Sequence, residues 1–237
     1  DGDVLVRVRA AGLDRGVWHL MEGLPYLVRL AFGLRRPKYP IIGLDVAGVV
    51  EAVGRNVTEF ATGDEVFGIC TGSFAEFACV KEGKLARKPT NLSFEQAAVV
   101  PISAGTALQA VRDKGEVSAG QSVLITGASG GVGTYAVHSI GADHVLDYEN
   151  EDFTDSGRRY DVILDIAGNR ALSDLRRALA PTGTLVIVGG EEGDRWTGGV
   201  DRQLRAIAWS PFVRQRLRSM IADESNVHLH ALTELIE

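Results

Sequence analysis

Residues 122–137 read Ser-Val-Leu-Ile-Thr-Gly-Ala-Ser-Gly-Gly-Val-Gly-Thr-Tyr-Ala-Val, and this stretch decides the fold class. Val123, Leu124 and Ile125 form a short apolar run of the kind that makes a buried parallel strand. Glycine then recurs at every third position, Gly127, Gly130 and Gly133. Val132, Tyr135 and Ala136 follow at helical spacing. The order is strand, glycine turn, helix, and that context lifts the glycine pattern above a chance match. Gly127 allows the tight turn, Gly130 lets a pyrophosphate approach the backbone, and Gly133 lets the helix pack against the strand. Amides at the helix N-terminus and the helix dipole favour the phosphate charge. Ala128, Ser129, Gly130, Gly131 and Val132 are therefore the candidate phosphate-binding residues. The plain alternative is a glycine-rich turn in any α/β protein; the flanking strand and helix favour dinucleotide binding.

The 237 residues suffice for one large domain or two small ones with their own cores. The formal charge of −6 argues against nucleic acid or an anionic membrane surface as the main partner, because phosphate backbones need a basic face. Two cysteines, Cys70 and Cys79, form no close pair and sit in no Cys/His cluster. Neither a disulfide framework nor a tetrahedral zinc site is legible, and a reducing, cytoplasmic setting is expected. No signal peptide and no run of membrane-spanning length is read. The chain opens on Asp-Gly-Asp, inside a turn pattern, so a start further upstream is expected.

Residues 4–8 read as a strand, and residues 10–22 place Asp14 at a helix start with Trp18, His19 and Met21 beyond it. Residues 24–40 connect, and carry the basic cluster Arg35, Arg36 and Lys38. That cluster reads as a phosphate contact or as a solvated loop, and composition favours the loop. In residues 41–53, Ile42, Val46, Val49, Val50 and Val53 interleave with Gly43 and Gly48, as in a bulged or curved sheet. Further short strands at 65–69 and 75–80, separated by turn residues, indicate a small antiparallel barrel or sandwich. Ser93 and Gln96 have capping-box spacing. Pro101 to Gly105 breaks that helix, and residues 106–111 resume one.

The pattern after the glycine loop is short. A helix crossing back over a sheet needs about ten residues or more, and a second strand with a ribose-binding acid is expected about 20 residues on. Here His138 is followed directly by Ser139-Ile140-Gly141-Ala142-Asp143-His144-Val145-Leu146-Asp147, which reads as helix end, turn and strand. The spacing is that of a chain from which a crossover and a strand have been left out after residue 138. An intact mass equal to that of the given sequence would refute this. Beyond it, residues 161–166 form a strand ending at Ala167-Gly168, and 172–180 a helix stopped by Pro181 and Gly183. Residues 184–188 form a strand ending at Gly189-Gly190, 202–209 a helix, 215–222 a strand or a helix with the strand favoured, and 229–236 a helix. This alternation argues a doubly wound parallel sheet.

Four stretches in order carry a family resemblance: residues 43–50 (Gly-Leu-Asp-Val-Ala-Gly-Val-Val), 63–68 (Gly-Asp-Glu-Val-Phe-Gly), 127–133, and 141–148 (Gly-Ala-Asp-His-Val-Leu-Asp-Tyr). Together they resemble the medium-chain dehydrogenase/reductase superfamily, in its zinc-free quinone oxidoreductase-like branch. The resemblance implies an α/β fold, a Rossmann doubly wound parallel sheet plus a mostly β GroES-like catalytic domain. The expected domains are 1–97, GroES-like and incomplete at its N-terminus, and 98–237, Rossmann, with the segment after 138 missing. The C-terminal segment that returns to the catalytic domain in relatives is expected to be absent as well.

The resemblance also assigns roles. Zinc-dependent relatives carry Gly-His-Glu where this chain has Gly43-Leu44-Asp45, and a cysteine ligand near Asp14; no catalytic zinc is expected, and Cys70 and Cys79 are read as non-ligand thiols. Thr106 matches a threonine near the nicotinamide end, or is simply a helix-start hydroxyl. Ala167, Gly168, Gly189 and Gly190 match positions along which the cofactor passes. His19 is a candidate ribose contact or proton donor, or a helix-surface histidine; Tyr26 and Tyr39 are weaker candidates. Asp14 departs from the asparagine of many relatives.

The implied cofactor is NADPH, or NADH, since the residues that choose between them belong to the missing crossover. The implied activity is hydride transfer to a quinone or an α,β-unsaturated carbonyl. An alcohol dehydrogenase or ketone reductase, and a non-catalytic NADPH sensor, are the alternatives. A homodimer through the last Rossmann strand is expected.

Overall fold

The computed structural model describes residues 1–154, 157–190 and 195–237. The chain divides into two compact units, Asp1–Gly105 with Asp223–Glu237, and Thr106–Ala222. The division falls eight residues later than the 97/98 boundary read from the sequence, and the last fifteen residues belong to the first unit.

The first unit is built on β1 (Asp3–Gly12), α1 (Arg15–Glu22), α2 (Val28–Phe32), β2 (Asp45–Val53), β3 (Glu65–Ile69), β4 (Phe77–Lys81), β5 (Leu85–Arg87) and α3 (Phe94–Ala97). Its five strands form one sheet in the order β4-β1-β2-β3-β5, every pairing antiparallel. Register shifts at Leu5/Val6 and Val8/Ala10 bend β1 against β2, as the interleaved glycines imply. A Cβ on Gly48 would lie 2.2 Å from the Arg7 carbonyl oxygen, so the two strands approach more closely there than a side chain permits. Val4, Val6, Val46, Val50, Val66, Val80 and Leu85 pack the core of this unit. Alternation of buried and exposed residues along β4 shows one face inward and one outward. Ser93 accepts from the Gln96 amide at 3.2 Å while Gln96 Oε1 accepts from the Ser93 amide at 2.9 Å, the capping box read from the sequence.

Helix α4 (Pro101–Leu108) carries the chain into the second unit, which contains β6 (Val123–Thr126), α5 (Gly131–Ile140), β7 (Tyr160–Asp165), α6 (Leu172–Ala178), β8 (Leu179–Ile187), α7 (Val200–Trp209) and β9 (Arg216–Ser219). The four strands are parallel in the order β6-β7-β8-β9. The middle strands are buried on both faces. Ile163, Leu185 and Ile187 pack with Leu172, Leu175 and Ala206 on one side. Val162, Leu164 and Val186 pack with Ala110 and Met220 on the other.

Three local readings differ from the structure. Pro101 to Gly105, read as a break between helices, is the first part of α4, and the break falls at residues 98–100, where Pro101 can open the next helix because its missing N–H is not needed there. The strand expected across Val145–Asp147 is not formed; α5 runs unbroken through His138 and Ser139, and β6 pairs directly with β7. The helix expected to end at Pro181 stops at Ala178, and β8 starts at once. Tyr160 pairs with Leu179 and Val162 with Thr184, so residues 180–183 bulge out and the strand absorbs Pro181 and Gly183 without a ladder partner. Strand β9 forms as expected and occupies the other edge of the sheet.

After β9 the chain re-enters the first unit as α8 (Asn226–Ile236), so part of the return segment expected to be absent is present. Leu229 and Leu232 of α8 are buried. The Asn91 amide donates to the Ile236 carbonyl at 2.8 Å, and Lys84 pairs with Glu224 at 2.5 Å. Among the described residues no helix is long and apolar enough to cross a membrane.

Candidate functional site

The glycine loop joins β6 to α5. Gly127 has φ +74°, and a Cβ there would stand 2.8 Å from the Ala167 amide nitrogen. Both observations demand glycine. The Gly130 amide closes the turn by donating to the Gly127 carbonyl at 3.1 Å, and Gly130 is the N-cap of α5. A Cβ on Gly133 would fall 2.1 Å from the Gly127 carbonyl oxygen, so the first turn of α5 rests directly on the loop. Gly130 is different: its nearest neighbour to an added Cβ is 3.4 Å away. The space above Gly130 is open, and Ala128, Ser129, Gly130 and Gly131 are exposed. The N-terminal amides of α5 lack carbonyl partners within the helix, and Gly130 offers no side-chain cap. The result is an anion cradle facing outward.

Next to this loop lie the C-terminal ends of β7 and β8. Gly168 has φ +69°, and a Cβ on it would meet the Gly189 carbonyl oxygen at 2.5 Å. A Cβ on Gly189 would meet the Ile166 oxygen at 1.9 Å, and one on Gly190 the Gly198 oxygen at 2.6 Å. Backbone and the Ala167 methyl therefore form the floor running from Gly127 through Ala167-Gly168 to Gly189-Gly190. The structure brings together nine of the sequence-derived candidates, 128–132, 167–168 and 189–190, at one end of the parallel sheet. Thr106 sits half-buried in α4. His19 sits half-buried in the last turn of α1 in the first unit, where its carbonyl accepts from the Gly23 amide that caps the helix. Tyr26 lies under the Arg29 guanidinium at 4.9 Å, and the Tyr39 ring is 5.4 Å from the Lys38 ammonium.

The residues at the zinc-ligand positions do not fit a metal. Leu44 has no ligating atom. Asp14 caps α1, its Oδ1 accepting from the Val17 amide at 3.0 Å, and burial raises its carboxyl pKa above the ordinary value. Asp45 is 1% exposed and accepts from the Ile102 amide at 2.9 Å; burial pushes its carboxyl up to about 8. Burial likewise pushes the Cys70 thiol up to about 12, far from the thiolate that a metal needs. Cys79 is exposed. Among the described residues, no three His, Cys, Asp or Glu side chains group to hold a metal ion.

Comparison with known proteins agrees with this geometry. Residues 1–90 match the family described as alcohol dehydrogenase GroES-like domain. Residues 140–237 match the family described as zinc-binding dehydrogenase. Those two domains flank the glycine cradle in one chain. The chain belongs to the medium-chain dehydrogenase/reductase superfamily.

Among curated members of this superfamily, the chain is 31% identical over 221 residues to the quinone oxidoreductase of Homo sapiens, covering 80% of this chain and 65% of that protein. It is 34% identical over 166 residues to the 2-methylene-furan-3-one reductase of Solanum lycopersicum, covering 56% of this chain and 42% of that protein. The chain thus spans less than two thirds of the length of either relative. An alcohol dehydrogenase superfamily protein from Novosphingobium aromaticivorans superposes with a TM-score of 0.72 at 28% identity, over 99% of this chain and 74% of that one.

Two features of this superfamily member were not legible in its sequence. Asp165, fully buried at the end of β7, accepts from Thr126 Oγ1 at 2.8 Å and pairs with Arg202 of α7. That pair ties the end of β7 to the first turn of α7 from 37 positions away. Asp45, read from the sequence only at its zinc-motif position, instead caps the start of α4.

Proposed function

We propose that this chain is the framework of an NAD(P)H-dependent reductase, acting on a quinone or an α,β-unsaturated carbonyl without catalytic zinc. The observation that carries the reading is the outward-facing glycine cradle. Its geometry leaves space over Gly130 and N-terminal amides of α5 without intrahelical partners. When bound, a nicotinamide cofactor supplies the hydride. The amides of Gly131 and Val132 hold its diphosphate, favoured by the α5 dipole. The floor at Ala167-Gly168 and Gly189-Gly190, with no side chain larger than the Ala167 methyl, admits the rest of the dinucleotide close to the backbone. Thr106 orients the nicotinamide end, and His19 is the proton donor. In this reading the acceptor carbonyl is polarised by hydrogen bonds, since no metal-ligand group is assembled among the described residues, and this suits quinones and enones, the easier hydride acceptors. The names of the human and tomato relatives support these acceptor classes.

NADPH is the preferred cofactor in this reading, the protein works in the cytoplasm, and it pairs as a homodimer through the open edge of β9. The decisive experiment is a titration with NADPH and with NADH, followed by nicotinamide fluorescence, and then cofactor consumption with a panel of quinones and enones. Binding with turnover is expected. Binding without turnover of any acceptor marks a nucleotide sensor, and binding of neither cofactor refutes the reading. Light scattering at micromolar concentration checks the dimer, which a monomer would exclude.

A further inference from the structure

The first unit contains a cavity of about 230 Å³ that the cradle does not use, lying between the end of α1, α2, the following loop and residues 41–43. Its apolar wall includes Leu20, Phe32, Leu34, Ile41 and Ile42. Leu34 is 68% exposed and Ile41 50% exposed, so this wall keeps large apolar surface open to solvent. Three arginines, Arg29, Arg35 and Arg36, also line the cavity, against one carboxylate, Glu22. The chain as a whole has 25 Lys and Arg against 31 Asp and Glu, so the cationic excess is local to this cavity. Two members of the cluster that composition alone favours as a solvated loop, Arg35 and Arg36, therefore line an apolar pocket.

Arg29 is set in place before any ligand arrives. Its Nε donates to the Gly23 carbonyl at 2.8 Å, and its guanidinium lies 4.9 Å above the Tyr26 ring. Those two contacts fix the plane of the fork while its outer N–H groups remain to meet an anion, and a fixed fork loses little freedom on binding. An apolar cavity of about 150 Å³ holds a benzene-sized guest. By that measure this one takes a chain of about nine or ten non-hydrogen atoms.

We propose that the cavity binds a medium-length apolar chain ending in a carboxylate, with the tail against Leu20, Phe32, Leu34 and Ile42 and the carboxylate against Arg29, Arg35 and Arg36. Taking this ligand as the non-reacting part of a substrate rests on the reductase reading; the binding itself does not.

The test is calorimetric titration of the full chain with octanoate and, separately, with octanamide, its neutral isostere. Octanoate is expected to bind at least about tenfold more tightly, the worth of a charge-assisted hydrogen bond over a neutral one. Arg29→Gln is expected to abolish that preference while leaving octanamide affinity unchanged. The double variant Arg35→Gln/Arg36→Gln, at two exposed positions, is expected to reduce the preference severalfold with the melting temperature unchanged. Equal affinity for the two probes, binding of neither, or a preference that survives both sets of substitutions overturns the proposal. NADPH titration of the same samples reports on the cradle alone. Failure there with octanoate selectivity intact removes the reductase reading and not this site.

Discussion

Replacing Asp45 by Asn tests how the first unit is held together. Asp45 opens β2, is 1% exposed, and accepts from the amide of Ile102, 57 positions away in the first turn of α4. Burial raises its carboxyl pKa to about 8, the Ile102 hydrogen bond opposes that rise, and the Asp14 and Glu224 charges add smaller upward shifts. The folded chain therefore holds a proton on Asp45 at pH values where the unfolded chain has lost it. Stability from this group is complete below about pH 4 and is lost as the pH climbs through about 8. The loss is on the order of a few kcal/mol across that window. Asparagine keeps the volume and the acceptor oxygen but does not titrate.

Urea unfolding of D45N and wild type, at intervals from pH 4 to pH 9, reads the difference. The two chains are expected to match near pH 4. D45N should then become progressively more stable, with a gap that levels off above about pH 8. Asp45→Ala removes the acceptor and strands the Ile102 amide, costing about 1–3 kcal/mol even at low pH. A gap between D45N and wild type that is independent of pH would refute the assignment of a buried, protonated Asp45.

The glycine cradle separates into packing and approach. Gly133→Ala drives a Cβ into the Gly127 carbonyl and should cost about 1–3 kcal/mol in chemical denaturation, whereas Gly130→Ala meets nothing closer than 3.4 Å and should leave stability within about 0.5 kcal/mol. If the diphosphate passes over Gly130, that variant weakens NADPH binding about tenfold or more; unchanged affinity counts against the cradle. Arg202→Met leaves the fully buried Asp165 with Thr126 alone and should cost about 3–5 kcal/mol, read as a fall in urea midpoint. Lys84→Ala breaks a pair with Glu224 whose side chains are 39% and 42% exposed, and should change stability by less than about 1 kcal/mol.

The sequence by itself determined the features whose causes lie within a few residues. The strand, glycine turn and helix at 123–140 form because positive φ at Gly127 and the Cβ-free contact of Gly133 are local demands. The Ser93–Gln96 box closes within one turn, and its capping spacing is legible in four residues. Tertiary structure decided the rest. Strand β8 starts at Leu179, ahead of Pro181, because Tyr160 of β7 offers it a pairing partner and the bulge at 180–183 accommodates the proline. No strand forms at Val145–Asp147, and β6 stands at the edge of the four-stranded sheet with β7 as its partner. The return of α8 to the first unit, the cap that Asp45 lends to α4, and the pairing of Asp165 with Arg202 each join residues far apart in the chain. Hydrophobic periodicity and turn chemistry report on neighbours along the chain. Which buried carboxylate meets which distant amide or guanidinium is fixed only when the packed sheet leaves each polar group one available partner.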